Sequence, residues 1–379
     1  TAELGGRVVD QQGQGVEGAI VVISTARPRV GPATTCPSCY RDCTKRALTD
    51  AEGRFQIEGL SPRLLFRLGV GSAGYQGLVS KEHYDPADQP SIEFTLKPLP
   101  SSSKVDAVSG QVVGPDGDPI IGAEVRSHTI HRVSGVIGGT DASVTPLTLT
   151  DADGRFQLTA GDHIRSLDVR VVASGNAPYY ASWDRHGEGE LRIQLGLGAS
   201  IRGRLMSNET PLSAVELGIV QHNRSVGNIV TPYEVSTDDQ GYFQFDQLPP
   251  AMDYTLYTHT DQDAQGVLPV SLIRAPEHGQ RADLGELVAQ KPHRLTISVT
   301  TEDGQPLPEK SYVYVGRRDA WRGSTLHLAT QPSAEVVLGD ATKEVFQVIT
   351  RVPGYDVVRT RPQLNVDRNR QYSVSVTGD

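Results

Sequence analysis

The stretch GRVVDQQGQGVEGAIVVIS at residues 6–24 decides the fold, because its pattern returns along the chain. Two short runs of apolar residues flank a turn rich in Gly, Gln and Asp, which is typical of two β-strands joined by a tight turn. A similar stretch, GQVVGPDGDPIIGAEVRSH, occupies residues 110–128, and fainter copies occupy residues 203–221 and 297–315. The repetition predicts four related modules.

A second element follows the first at a variable distance. It reads TDAEGRF at 49–55, TDADGRF at 150–156 and TDDQGYF at 237–243, whereas the last quarter has LATQPSAEVVL at 328–338 near the expected place. We expect the aspartate to accept backbone N–H groups in a hairpin turn and the glycine to adopt a positive φ angle. The predicted turn-forming residues are Asp50, Gly53, Asp151, Gly154, Asp238 and Gly241.

The composition favours many short strands over helices. The 379 residues include 39 glycines and 24 prolines, and only 6% are aromatic. The formal net charge of −9 argues against a nucleic-acid partner, and no run of 18 apolar residues predicts a membrane span. We therefore predict an all-β fold of four tandem Ig-like β-sandwich modules in an elongated rod.

The repeat spacing predicts the bounds of these modules. The first carries a cysteine-rich insert at 25–48, the fourth is degenerate, and the Pro- and Ser-rich stretch at 96–110 is the predicted linker. The other two junctions have almost no slack, which favours a semi-rigid rod. The predicted first to fourth modules are residues 1–99, 105–197, 198–291 and 292–379.

The order of these motifs resembles the carboxypeptidase regulatory-like domain. The first module matches most fully, the second well, the third in part and the fourth weakly. The resemblance implies a transthyretin-like sandwich and a non-catalytic module of secreted or surface proteins, so it supplies no catalytic residues. The first module is also similar to bacterial secreted proteins with a Cys-Pro-x-Cys-Tyr-x-x-Cys insert. The matching positions are Gly6, Val8, Asp10, Gly13, Val16, Gly18, Ala19, Val21, Thr49, Asp50, Gly53, Phe55, Ile57, Gly59, Leu60, Pro62, Gly74 and Tyr75.

All three cysteines lie in the insert, within TTCPSCYRDCTKR at 34–46. Cys36, Cys39 and Cys43 allow a local disulfide that leaves one thiol over, or a bridge to a second copy or a partner. They also allow a metal site, with Cu(I) on three thiolates or Zn²⁺ with a fourth ligand such as His83. The nearby Arg41, Lys45 and Arg46 are expected to make a thiol more reactive. We predict no cofactor, and the three readings stay open.

Aromatic residues on loops are candidates for surface binding of a sugar or a protein. Tyr179, Tyr180 and Trp183 cluster in PYYASWDRHGEG, and Trp321 lies in RRDAWRGS. Packing of these side chains in the core of an edge strand is the favoured alternative.

The chain has none of the short motifs that mark common enzymes. It has no Gly-x-Ser-x-Gly, no His-Glu-x-x-His and no phosphate-binding glycine loop. It begins TAELGG, without Met or an apolar leader, which we interpret as a mature N-terminus after removal of a signal peptide, or as a shortened form of the chain. We therefore expect an extracellular or cell-surface location.

The leading hypothesis is a non-enzymatic extracellular bacterial structural protein. It would act as a surface stalk, an adhesin or a subunit of a self-assembling fibre, and its partner would be a second copy or another surface protein. One alternative is a metal-binding or thiol-redox module centred on the cysteine loop. Another is a carbohydrate-binding accessory protein with a polysaccharide partner.

Overall fold

The computed structural model confirms the predicted all-β fold of β-sandwich modules. Among the described residues it contains 32 strands, one short 3-10 helix, and no helix that is long and apolar enough to cross a membrane. The structure describes residues 2–29, 37, 40–88, 92–99, 106–138, 141–187, 189–223, 233–258, 266–317, 320, 323–328, 332–338, 346–361 and 370–378.

The first module consists of two main sheets around one core. One sheet has the order β4-β1-β8, the other has the order β3-β2-β5-β7, and β6 pairs with β9. Alternate residues of β4 point inward, so that Phe55 and Ile57 pack with Val21 and Phe66 of the facing sheet. The elements are β1 (Ala2–Val9), β2 (Ile20–Pro28), a 3-10 helix (Arg41–Thr44), β3 (Arg46–Leu48), β4 (Arg54–Leu60), β5 (Leu64–Gly71), β6 (Tyr75–Gln76), β7 (Leu78–Val79), β8 (Ile92–Thr95) and β9 (Lys97–Pro98).

The second module repeats this arrangement. Its sheets have the orders β14-β10-β17 and β12-β11-β15-β16, and β13 also pairs with β11. Residues of both sheets share one core, including Val112 and Phe156 from one and Val125 and Val169 from the other. The strands are β10 (Asp106–Val113), β11 (Glu124–Arg132), β12 (Gly135–Gly138), β13 (Leu147–Leu149), β14 (Arg155–Ala160), β15 (Ile164–Val172), β16 (Tyr179–Asp184) and β17 (Leu191–Gln194).

The third module has the sheet orders β19-β18-β22, with β25 also paired to β18, and β21-β20-β23-β24. Its core joins Ile201 and Phe243 of the first sheet to Ile219 and Tyr254 of the second. The strands are β18 (Ala199–Ser207), β19 (Thr210–Pro211), β20 (Glu216–Gln221), β21 (Tyr233–Ser236), β22 (Tyr242–Leu248), β23 (Asp253–Thr258), β24 (Ser271–Arg274) and β25 (Arg281–Val288).

The fourth module keeps the topology although its sequence is degenerate. Its sheets are β29-β26-β32 and β28-β27-β30-β31, and they enclose a core that includes Ile297, Val315 and Phe346. The strands are β26 (His293–Thr301), β27 (Tyr312–Arg317), β28 (Gly323–His327), β29 (Ser333–Leu338), β30 (Phe346–Arg351), β31 (Val358–Thr360) and β32 (Arg370–Val376).

Contacts divide the chain into two compact units, and the division falls between Gly198 and Ala199. The first unit holds the first and second modules, and the second unit holds the third and fourth. The predicted module bounds stay predictions.

The three Asp-x-x-Gly turns share one geometry. In the first, Oδ1 of Asp50 accepts the backbone N–H groups of Glu52 and Arg54, at 3.1 and 2.7 Å. Gly53 has φ of 77°, and a Cβ there would lie 2.2 Å from the carbonyl oxygen of Val8, so only glycine fits. The same aspartate contacts and positive φ recur at Asp151 and Gly154, and at Asp238 and Gly241.

The structure corrects one expectation: these turns are not hairpins, because β3 pairs with β2 in one sheet and β4 with β1 in the other. The fourth module holds the corresponding connection between its sheets differently. Where Val8 donates its N–H to the carbonyl oxygen of Gly53, Val299 donates to that of Pro332, both at 2.7 Å. A carbonyl group is available from any residue type, so this connection persists without the glycine.

The threonine before each aspartate ties the turn to the second strand of its module. The hydroxyl of the buried Thr49 accepts the N–H of Ala19 at 2.8 Å and donates to the carbonyl oxygen of Val16 at 2.5 Å. Thr150 makes the same pair of bonds in the second module, with Ala123 and Ile120.

We expect Thr49→Val to destabilise the first module by about 2 kcal/mol, because the isosteric side chain leaves two buried backbone groups without their partner. Urea-dependent hydrogen exchange of the full chain, read by mass spectrometry, measures this change in peptides of the first module. The control is Thr95→Val at an exposed strand position, where the change should stay within about 0.5 kcal/mol. Equal effects of the two substitutions would contradict the role given to Thr49.

Candidate functional site

The cysteine insert is described only in part. Cys36 and Cys39 lie outside the described residues, so the disulfide, the intermolecular bridge and the metal site stay predictions. Cys43 lies half-buried in the 3-10 helix, and its Sγ is 3.5 Å from the carbonyl oxygen of Pro37.

Two of the three cations expected to activate a thiol are engaged by carboxylates. The Nζ of Lys45 lies 2.5 Å from Oδ1 of the buried Asp42. The guanidinium of Arg46 binds Glu124 in the second module, with Nη1 to Oε2 at 2.8 Å. These ion pairs give both side chains a structural role that the sequence does not reveal.

The described residues contain no group of three His, Cys, Asp or Glu side chains placed to hold a metal ion. His83, the suggested fourth ligand, lies near two arginines. Burial, and then Arg27 and Arg67, lower its pKa, so the imidazole is held neutral to a lower pH than usual.

The aromatic candidates are distributed between core and surface. Trp183 is only 9% exposed and packs in the core of the second module, as the packing alternative expects. Tyr180 packs edge-on against the ring of His128, with ring centroids 5.0 Å apart, and Tyr179 is 46% exposed. Trp321 lies outside the described residues. Because Trp183 packs in the core, it is not part of a surface that could bind a sugar.

The first and second modules contact each other through an apolar cluster and a buried ion pair. We call this contact the first joint. Ile20 and Val22 point away from the core of the first module, on the outer face of β2. Leu147 and Leu149 of β13 cover them and form a separate buried cluster with them. Because the start of β2 is buried on both faces, the sequence there is a continuous apolar run, AIVVI at 19–23.

Three glycines let β13 approach this face closely. Gly69 and Gly71 alternate with the inward-facing Leu68 and Val70 on β5, and Gly77 follows. A Cβ on Gly71 would lie 2.8 Å from the carbonyl oxygen of Leu147, and a Cβ on Gly77 only 2.1 Å from it. Their missing side chains make the space that the second module fills.

A buried carboxylate completes the first joint. The side chain of Glu124 is only 3% exposed, and its two oxygens bind different modules. Oε1 accepts from Arg126 of its own strand, with Nη2 at 2.6 Å, whereas Oε2 binds Arg46 of the first module. Burial alone would raise the pKa of Glu124, but Arg126, Arg46 and Arg170 together lower it below its usual value. Glu124 is therefore a charged group held between three cations.

The third and fourth modules meet in a comparable way, at what we call the second joint. Val220 and Tyr257 lie on the outer face of β20 and β23, and Ala320 of the fourth module packs on them. Arg317, which is 6% exposed, donates from Nη1 to the carbonyl oxygen of Thr258 at 3.0 Å. Each unit thus covers the outer face of one sheet with a segment of the following module.

Neither joint was predicted from the sequence, although two signals for the first joint are present. Glycine at alternate positions of a strand, as in LGVGSAG at 68–74, indicates a partner close to that face. The unbroken apolar run at 19–23 indicates burial on both faces. The Pro- and Ser-rich stretch at 96–110 instead predicted a linker between the first two modules.

No family model and no curated protein matches the sequence. Among solved structures, the chain is similar to the Bacillus anthracis TIE protein, with 11% identity over 96% of this chain and 69% of that one, at a TM-score of 0.22. It is also similar to a streptococcal ancillary pilin, with 10% identity over 75% and 99% of the two chains, at 0.24. The minor pilin GBS52 of Streptococcus agalactiae has 10% identity over 48% and 95%, at 0.25. Scores this low carry no argument, so the fold of this chain rests on its own sheets.

Proposed function

We propose that this protein is a non-enzymatic structural protein of the bacterial surface, which serves as a stalk, an adhesin or a fibre subunit. Its modules would belong to the carboxypeptidase regulatory-like sandwich family, as the motif order in the first module suggests. The protein would act outside the cell and associate with further copies of itself or with another surface protein.

The observation that carries this proposal is the first joint. A flexible string of domains needs no buried contact between neighbours, since interfaces between independent domains are small and polar. Here Glu124 is buried with arginines from both modules, and Leu147 packs on Ile20 across the same interface. Such a joint removes bending freedom between sandwiches, which is what a spacer under lateral force requires.

The experiment that tests this proposal uses the purified full chain. Analytical ultracentrifugation over a range of concentrations, with negative-stain electron microscopy, should show concentration-dependent assemblies of regular width. Antibody labelling of the producing cells should place the protein at their surface. A strictly monomeric protein that also fails to label at the surface would contradict the proposal.

The cysteines allow two kinds of assembly to be separated. Intact mass of the native protein is measured before and after reduction, for the natural chain and for the variant with Cys36→Ser, Cys39→Ser and Cys43→Ser. Covalent multimers of the natural chain that collapse on reduction would assign assembly to a bridge through the cysteines. Assemblies that persist unchanged in the serine variant would assign assembly to the sheet edges and leave the cysteines a local role.

A further inference from the structure

The third module contains an apolar cavity of 260 Å³ that opens between its two sheets. It lies where β24 and β25, the last strands of the two sheets, run along the same side of the sandwich. Leu256 and Leu268 form a buried floor, whereas Val288 at the rim is 67% exposed. The remaining lining residues are Pro269, Ser271, Ile273, Leu284 and Leu287.

The same place is filled by an aromatic ring in the first two modules. We identify the equivalent positions by the residues that lie opposite each other on neighbouring strands. In each module one residue of the central strand β5, β15 or β23 faces one residue of the next segment. The pairs are Phe66 with Tyr84, Leu167 with Trp183, and Tyr254 with Ile273. These three central-strand residues are themselves equivalent, because each is fully buried and pairs with the late part of β2, β11 or β20.

Each aromatic ring at this place packs inside its own module. Tyr84 meets Phe94 edge to face, with ring centroids 6.2 Å apart, and Trp183 joins the core cluster. In the third module Ile273 supplies a smaller side chain, and the cavity lies beside it. The fold therefore has a position for an aromatic ring that the third module leaves open.

The strand beside the cavity also differs from its counterparts. β25 has eight residues, whereas β8 and β17 have four each. Its pairing with β18 shifts register between Arg202 and Arg204, opposite Gly285, which has φ of 67°. This bulge interrupts the alternation of the strand, so that both Leu284 and Leu287, three positions apart, line the cavity. The length of β25 and its bulge, which distinguish the third module, therefore shape the cavity.

We propose that this cavity is a docking site for an extended peptide segment of a partner protein, which inserts one aromatic side chain. Among the described residues, β24 and β25 each have a strand partner on one side only, so a backbone edge is available next to the cavity. The ring would take the place that Tyr84 and Trp183 take in their modules. The site is independent of the proposed structural function.

The first experiment uses the full chain with labelled Ile, Leu and Val methyl groups and follows their NMR shifts. The probe is the peptide acetyl-Thr-Val-Phe-Val-Thr-amide, and the matched control has Ala in place of Phe. We expect saturable shifts at Ile273, Leu256 and Leu284, and binding of the Ala peptide that is at least about 10-fold weaker. Equal binding of the two peptides, or no saturable shift, would overturn the proposal.

Two variants locate the site. Ile273→Trp should fill the cavity from within, abolish binding of the Phe peptide and keep or raise the melting temperature. Val288→Glu changes only an exposed rim position and should weaken binding about 10-fold without unfolding, because a carboxylate then borders the apolar entrance. Unchanged binding in both folded variants would overturn the proposal.

The reciprocal change tests the comparison between modules. Trp183→Ile should open an equivalent cavity in the second module, so that the Phe peptide shifts a second set of methyl groups, around Leu167. Absence of this second set in the folded variant would overturn the argument from register. The NMR shifts of the Ile273 methyl groups are also measured at several protein concentrations when no peptide is present. A dependence on concentration would overturn the proposal of a separate partner protein and make a second copy of this chain the occupant of the cavity.

Discussion

Replacing Glu124 by glutamine is expected to destabilise the first unit by about 3 kcal/mol and to loosen the first joint. The substitution keeps the shape but removes the charge that binds Arg126 and Arg46, and breaking one side of a buried ion pair leaves the other side uncompensated. The estimate stays at the low end of the usual range because the side chain of Arg46 is 41% exposed, so that water compensates part of its charge.

Urea-dependent hydrogen exchange of the full chain measures the effect, because peptides of residues 1–198 and of 199–379 are read separately. Protection should fall on both sides of the first joint, in β2 and in β13, and stay unchanged in the second unit. The control is Glu190→Gln, which removes an exposed pair with Arg155 and should cost less than about 0.5 kcal/mol. A loss confined to the second module would show that Glu124 does not connect the two.

The same carboxylate makes the joint sensitive to acid. Since the folded-state pKa of Glu124 is lowered, its contribution to stability is complete above the ordinary value of 4.5. It is lost as the pH falls through the lower pKa of the folded state. The protection factor of β13 against hydrogen exchange, which allows for the slower intrinsic exchange in acid, should therefore fall in acid for the natural chain, and this component should be absent from Glu124→Gln.

Replacing Gly77 by alanine is expected to cost the first joint roughly 3 kcal/mol. The added Cβ would lie 2.1 Å from the backbone carbonyl oxygen of Leu147 and 3.0 Å from that of Val70, and neither backbone group can rotate away as a flexible side chain could. The clash should push β13 off the first module and expose Ile20 and Val22 to water.

The matched control is Gly138→Ala in β12, where a Cβ would meet nothing within 4 Å. That variant should be neutral or slightly stabilising, because alanine restricts the unfolded chain. Thermal unfolding of both full-length variants, with hydrogen exchange at residues 20–22 and 147–149, measures the difference. If Gly77→Ala leaves exchange at both segments unchanged, close approach of β13 is not what holds the modules together.

The internal architecture of each module could be predicted from the sequence because its determinants are local. A turn such as Asp50 to Gly53 needs a carboxylate and a positive φ angle within four residues, and both are visible in the residue types. The alternation of β4 likewise shows which of its residues face the core. The corresponding connection of the fourth module was not predicted, because Pro332 contributes a backbone carbonyl group, which no residue type indicates.

The joints could not be predicted in the same way, because each depends on residues far apart in the chain. Arg46 and Glu124 are 78 positions apart, and nothing near either one in sequence indicates its partner. The basic residues beside the cysteines suggested thiol chemistry instead. The glycines of β5 and the apolar run at 19–23 indicated a neighbour of the first module, but they did not identify it. The cavity of the third module likewise depends on the pairing of strands that are far apart in the sequence, such as β18 and β25.

The pairing of first and last strands in each module has a mechanical consequence. β1 and β8 run parallel, from Gly6 opposite Ile92 to Val9 opposite Thr95, so the chain enters a module at one end and leaves at the other. Tension applied through the two ends would slide these strands past each other and strain all their hydrogen bonds at once. In the fourth module the matching ladder is longer, from Leu295 opposite Arg370 to Thr301 opposite Val376. When the chain is pulled from its two ends, the fourth module should therefore unfold last, although its sequence differs most from the repeat.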